Sequence, residues 1–209
     1  MIMNFPLRLS LALALLSVAL LAPQSVSAQD PPVSAPEESR AGRTYLGVMG
    51  TRLNYRSVDK DLLGQGWSSM VGVVLGTHVS EHFHAELRAG SGLAAGRIDG
   101  ELEVNIDYYV SWYFGGHYPI TTYSNIYGQF GFTHLQGEAE LVEGSQGQNY
   151  AEIAEEEYPG SSFSTSWLLG LDFEAVDNGF VFLEAGKFFE DTDTNSNVFQ
   201  YNFGLKYEF

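Results

Sequence analysis

Six ionisable residues could share one polar interior if the segments that carry them are strands: Glu86, Arg88, Asp107, Glu184, Lys206 and Glu208. All but Glu184 lie in runs that alternate apolar and polar, so strand geometry turns them to the side that also carries Asn, Gln, Ser and Tyr, and the cost of a carboxylate in lipid sends Glu184 the same way. Unlike charges gathered away from bulk water hold one another as hydrogen-bonded pairs. They act as filling unless a continuous wet path makes them an ion or proton route. A second group, Glu138, Glu140, Glu143, Glu152, Glu155, Glu156 and Glu157, occupies a stretch without Lys or Arg. Carboxylates at that density repel one another, favour a solvated loop, and are ligands for a hard divalent cation or a basic partner. Glu190-Asp191-Thr192-Asp193 is similar but too short for an EF-hand, and it lacks that motif's glycine and closing glutamate. His78, His82 and His84 suit either metal ligation or polar filling at a strand end. These grounds assign no metal, cofactor or catalytic residue.

The elements that must position these groups are read from period-two alternation. The clearest is Phe199 to Phe209, where Phe199, Tyr201, Phe203, Leu205, Tyr207 and Phe209 share one face, and Gln200, Asn202, Gly204, Lys206 and Glu208 the other. Seven further strands of about nine to twelve residues are predicted before it, near 43–53, 68–77, 83–91, 103–114, 123–133, 162–173 and 180–188. In the fourth, Val104, Ile106, Tyr108, Val110, Trp112 and Phe114 face away from Asn105, Asp107, Tyr109, Ser111 and Tyr113. The sixth has one inward misfit, Leu168. The first leaves its facing open between the side of Tyr45, Gly47, Met49, Thr51 and Leu53 and the side of Arg52. The seventh alternates poorly; Glu184 and Gly186 are placed inward because a carboxylate in lipid is costly, which sends Lys187 outward to snorkel at a rim.

Connections after strands two, four and six are short, and those after one, three, five and seven are mostly long. That asymmetry, an even strand number and this strand length predict an all-β, eight-stranded antiparallel up-and-down transmembrane β-barrel with both termini periplasmic. Soluble eight-stranded folds invert the pattern and would have to bury either these charges or about thirty large apolar groups. Girdle aromatics are expected at the periplasmic level (Tyr45, Phe83, Trp112, Phe114, Phe173, Tyr207, Phe209) and at the outer level (Trp67, Phe132, Phe163, Phe188, Phe199).

Residues 1–28 read as a signal peptide: Arg8, an apolar run from Leu9 to Ala22, and a small-residue cleavage site at Val26-Ser27-Ala28. Residues 29–42, with Pro31, Pro32 and Pro36, read as a flexible periplasmic lead-in, and residues 43–209 as the barrel domain. The absence of cysteine rules out a disulfide framework. A net charge of −16 argues against nucleic acid as a partner.

With signal peptide, eight alternating strands and a terminal Tyr207-Glu208-Phe209, the chain resembles the family of small outer-membrane β-barrels that includes OmpX and the OmpA transmembrane domain. The resemblance covers about residues 43–209. It implies residence in the outer membrane of a Gram-negative bacterium among outer-membrane lipids and lipopolysaccharide. It also implies delivery by the outer-membrane assembly machinery through a C-terminal signal at Phe203, Leu205, Tyr207 and Phe209. No periplasmic peptidoglycan-binding domain of the kind in full OmpA is expected after Phe209. Some barrels of this kind are lipid A acylases or deacylases, and His134 with Ser161 or Ser162 and Glu138 is the set that would serve such chemistry here. The other reading is a monomeric, non-enzymatic barrel with a plugged lumen and an envelope-structural or adhesive role. Its acidic loop, residues 134–161, would meet an extracellular protein or divalent cations bridging to lipopolysaccharide.

Overall fold

The computed structural model describes residues 39–57, 65–144, 150, 157–158, 163–190 and 197–209. Nine strands occur among them: β1 (Thr44–Ser57), β2 (Gly66–His78), β3 (Phe83–Ile98), β4 (Leu102–Thr121), β5 (Ser124–Leu141), β6 (Glu157–Tyr158), β7 (Phe163–Val176), β8 (Gly179–Glu190) and β9 (Asn197–Glu208). Each long strand pairs antiparallel with its neighbours in sequence, β5 passing directly to β7, and β1 pairs with β9 to close the cylinder. Closure leaves no free edge among the eight wall strands, the condition for crossing lipid with strands. The two-residue β6 adds to β5 through Gly137 and Glu138.

Alternation decides facing along the wall. On β9, Tyr201, Phe203, Leu205, Tyr207 and Phe209 are exposed, while Gln200, Asn202, Gly204 and Glu208 are buried inside. On β2, Val71, Val73 and Leu75 point out. β1 resolves its open facing with Tyr45, Met49, Thr51 and Leu53 inward and Arg52 outward. Leu168 does point into the lumen, 1% exposed. Small inward residues make room for large ones: a side chain at Gly76 would collide with the Tyr45 ring, and one at Gly204 with Phe182.

Several details depart from the alternation reading. The eight wall strands are 12 to 20 residues long, and the expected long connection after the third strand is a tight turn at Asp99 and Gly100, both at positive φ. β4 carries an extra residue opposite β5 between Ile106 and Tyr108. A bulge of this kind resets side-chain parity. Val104 and Ile106 therefore turn inward, and Asp107 is exposed on the outer wall, outside the polar interior where simple alternation put it. A second bulge between Lys187 and Phe189 turns both Phe188 and Phe189 inward, so Phe188 leaves the outer girdle. Tyr45 leaves the periplasmic girdle for the lumen. Trp112 pairs directly with Phe132 and its ring lies 5.3 Å from that of Phe163, which puts it with the outer aromatics rather than the periplasmic ones. The expected signal peptide, 1–28, and the expected lead-in as far as residue 38 lie outside the described residues, as do Ser161, Ser162, Glu152, Glu155 and Glu156.

Candidate functional site

The middle of the lumen is organised around Arg88. Its Nη1 and Nη2 donate to Glu184 Oε2 and Oε1 at 2.6 and 2.8 Å, a bidentate pair, and its Nε donates to Glu86. Arg88 stands on β3 and Glu184 on β8, half-way round an eight-stranded wall, so the pair spans the diameter. The remaining oxygens are taken up. Tyr127 Oη donates to Glu184 at 2.6 Å, Asn202 Nδ2 to the same carboxylate at 2.8 Å, and Tyr45 Oη to Glu86 at 2.8 Å. Gln129 accepts from Arg88 at 3.1 Å and donates to Glu86 at 3.2 Å. The guanidinium also sits 5.1 Å from the centre of the Tyr113 ring. Buried charges persist in such a place only when paired and hydrogen-bonded throughout.

Towards the periplasm the lumen becomes a small recess lined by Arg40, Tyr45, His78, His84, Glu86, His117, Tyr127, Gln129, Asp172 and Lys206. Lys206 Nζ donates to Asp172 at 2.6 Å, and Asn125 Nδ2 donates to the other Asp172 oxygen at 2.6 Å. Glu208 takes hydrogen bonds from Arg40 and, at 3.0 Å, from His78 Nε2. The rings of His78, His84 and His117 lie 5.0 to 6.1 Å apart, and His78 Nδ1 and His117 Nε2 have no partner among the described residues. No group of three or more His, Cys, Asp or Glu among the described residues is arranged to hold a metal, and His82 stands off to the side of this cluster.

Towards the exterior the lumen turns apolar. Leu53, Tyr55, Ile98, Leu102, Val104, Phe188, Phe189 and Val198 are all 2% exposed or less and form one cluster with Ile106, Leu135, Tyr150 and Tyr158. Tyr150 donates to Asp99 at 2.7 Å, fastening the long connection after β5 to the tip of the β3–β4 hairpin. Burial, together with that carboxylate, pushes the Tyr150 hydroxyl up to about 12, so it remains a donor at physiological pH.

Of the six charges singled out from sequence, Glu86, Arg88 and Glu184 meet in the central network, while Lys206 and Glu208 serve the recess and Asp107 belongs to neither. Arg40, Asp172 and His117 were missed as members. Asp172 could have been found, since it already lay on the polar face of its strand. Arg40 precedes any alternation and carries no such signal. On the outer wall His134 lies against Tyr108, ring centres 5.9 Å apart, and Glu138 is four residues further along β5, about 13 Å at strand rise. Glu103 and Glu140 are direct cross-strand neighbours there, with Asn105 opposite Glu138.

A closed eight-stranded antiparallel cylinder, polar within and girdled by exposed Trp, Tyr, Phe and Leu, defines a small outer-membrane β-barrel with periplasmic termini. The chain belongs to the outer membrane protein beta-barrel domain family, which matches residues 11–209. Solved structures share the fold at low identity. Neisserial surface protein A aligns at 12% identity over 80% of this chain and 99% of its own, with a TM-score of 0.53. The N-terminal β-barrel domain of Pseudomonas aeruginosa OprF aligns at 12% over 82% and 100% (TM-score 0.52), and Pseudomonas aeruginosa OprG at 12% over 83% and 98% (TM-score 0.51). No curated protein matches the chain.

Proposed function

We infer that this protein is a non-enzymatic, non-conducting barrel that serves the envelope as a structural and surface-interaction element, with its lumen filled and its outer end presented to partners. The observation that carries the reading is the Arg88–Glu184 pair across the lumen diameter, with hydrogen bonds from Tyr127 and Asn202 completing it. An eight-stranded interior has room for side chains and little else, and these side chains are tied to one another. Purified protein in a planar bilayer is expected to show no large steady conductance. Stable open channels from the wild-type chain would overturn the filled-lumen reading.

The acidic outer wall supports the interaction role. Glu103 stands directly opposite Glu140, with Arg97 on its other flank pairing with Glu103 at 3.1 Å and none of the described cations beside Glu140. With Asp107, Glu138 and Glu143 also exposed, the β4–β5 hairpin offers carboxylates to a basic extracellular protein or to divalent cations. The alternating face of β9 serves a second purpose in this reading: Phe203, Leu205, Tyr207 and Phe209 are both lipid-facing wall and the mark recognised by the outer-membrane assembly machinery.

A further inference from the structure

We propose that the outer face of β1 and its two neighbours forms a binding site for a phosphorylated glycolipid of the outer leaflet, the lipid A moiety of lipopolysaccharide, with Arg52 and Arg56 as its phosphate ligands. Four cations are described on the exterior near the extracellular rim. Arg97 is paired with Glu103 at 3.1 Å and Lys187 with Glu190 at 2.6 Å. Arg52 and Arg56 have no ion pair among the described residues. Two outward guanidinium groups with no ion pair among the described residues are unexpected on a chain of net charge −16.

Their setting is built rather than accidental. Arg52, Asn54 and Arg56 form one outward column on β1. Tyr201 and Phe199 of β9 flank it on one side, and Ser69 and Trp67 of β2 on the other. The Arg56 guanidinium lies 3.8 Å from the centre of the Phe199 ring, and that of Arg52 lies 5.8 Å from Trp67 with Nη1 on Ser69 Oγ at 2.6 Å. Stacking fixes each fork while leaving donors free for a phosphate, which guanidinium binds in bidentate fashion. Four residues of strand, the last at a bulge against β9, put the two Cα atoms at most about 13 Å apart, within the span of a disaccharide carrying a phosphate at each end. Below Arg52 the next outward position is Gly50, where an added side chain would meet nothing within 4 Å. Its neighbours across the ladder are Phe203 and Val71, both exposed. That leaves an apolar furrow running down from the cations, where an acyl chain would lie. Because the whole chain is acidic and screening limits charge effects to about 8–10 Å, the attraction is local to this column. It does not depend on whether the lumen conducts.

The test is lipid binding to the intact barrel, reconstituted with zwitterionic phospholipid plus bisphosphorylated lipid A, dephosphorylated lipid A or phosphatidylglycerol, and read by native mass spectrometry of the lipid retained. Wild type is expected to retain bisphosphorylated lipid A about tenfold more strongly than Arg52→Gln/Arg56→Gln does, the loss of a charge-assisted contact. Arg97→Gln should bind as wild type. Equal retention by the double variant, or equal wild-type retention of the dephosphorylated lipid, overturns the proposal. Equal retention of phosphatidylglycerol also overturns it, in favour of a general anionic-lipid contact. If the double variant does not fold, shown by unchanged gel mobility on heating, the three wild-type arms still decide.

Discussion

Arg88 illustrates how a buried charge can be indispensable without being stabilising in itself. The cost of taking it and two carboxylates out of water is offset only because every lobe of each group is engaged. Removing one partner leaves the others stranded. Arg88→Ala is therefore expected to lower the stability of the barrel in lipid vesicles by about 3–5 kcal/mol, read as a shift of the urea midpoint. Replacing the pair together, Arg88→Met with Glu184→Met, should cost clearly less than the sum of the two single changes. Additive losses would mean that the two side chains do not act as a unit. This part of the interior was legible in the sequence because Glu86 and Arg88 sit on an unbroken stretch of alternation, while Glu184, on a strand that alternates poorly, is sent inward by the cost of a carboxylate in lipid. Asp107 was not, because its place depends on the extra residue in β4, which no local composition announces.

At the scale of the strand, alternation was a reliable guide wherever a strand runs straight from one interface to the other, and it failed at bulges. β9 keeps an unbroken register from Val198 to Glu208 against β1 and from Phe199 to Tyr207 against β8, and its faces follow the sequence residue by residue. β4 and β8 are interrupted against both neighbours, and past the shifts at Ile106/Tyr108 and Lys187/Phe189 the faces exchange. The extension of β3, β4 and β5 towards the exterior was hidden for a related reason: Gly92 to Ile98 and Gln136 to Leu141 alternate too weakly to suggest strand. They pair because the hairpins are already in register below them. The lipid-facing assignment of β9 has its own test. Phe203, 56% exposed, pairs with Gly50 and Leu183 on its flanks. Phe203→Arg should destabilise the barrel by roughly 2–4 kcal/mol near the bilayer midplane, measured by urea unfolding in vesicles, whereas a change at exposed Tyr118 near the rim should cost far less. An unchanged midpoint for Phe203→Arg would refute its mid-membrane placement.

Across the whole molecule the lumen is layered: a polar recess at the periplasmic end, an ionic network in the middle and a largely apolar packing towards the exterior. The layers resist ions by different means. The ionic network fills the bore and holds its own charges in pairs, and the outer layer is mainly apolar, with Tyr55 and Ser68 hydrogen-bonded to each other, so an ion that passed the middle would still face a desolvation barrier. Two seals in series give a specific expectation for single-channel recordings. Arg88→Ala should leave the barrel as silent as wild type, because Leu53, Ile98, Leu102 and Val104 still close the outer half. Leu102→Ser with Val104→Ser alone should be silent as well, because Arg88 and Glu184 still bridge the diameter. Only the combination should yield measurable conductance. Steady current from either set of changes by itself would show that one layer carries the whole barrier and that the other is packing alone.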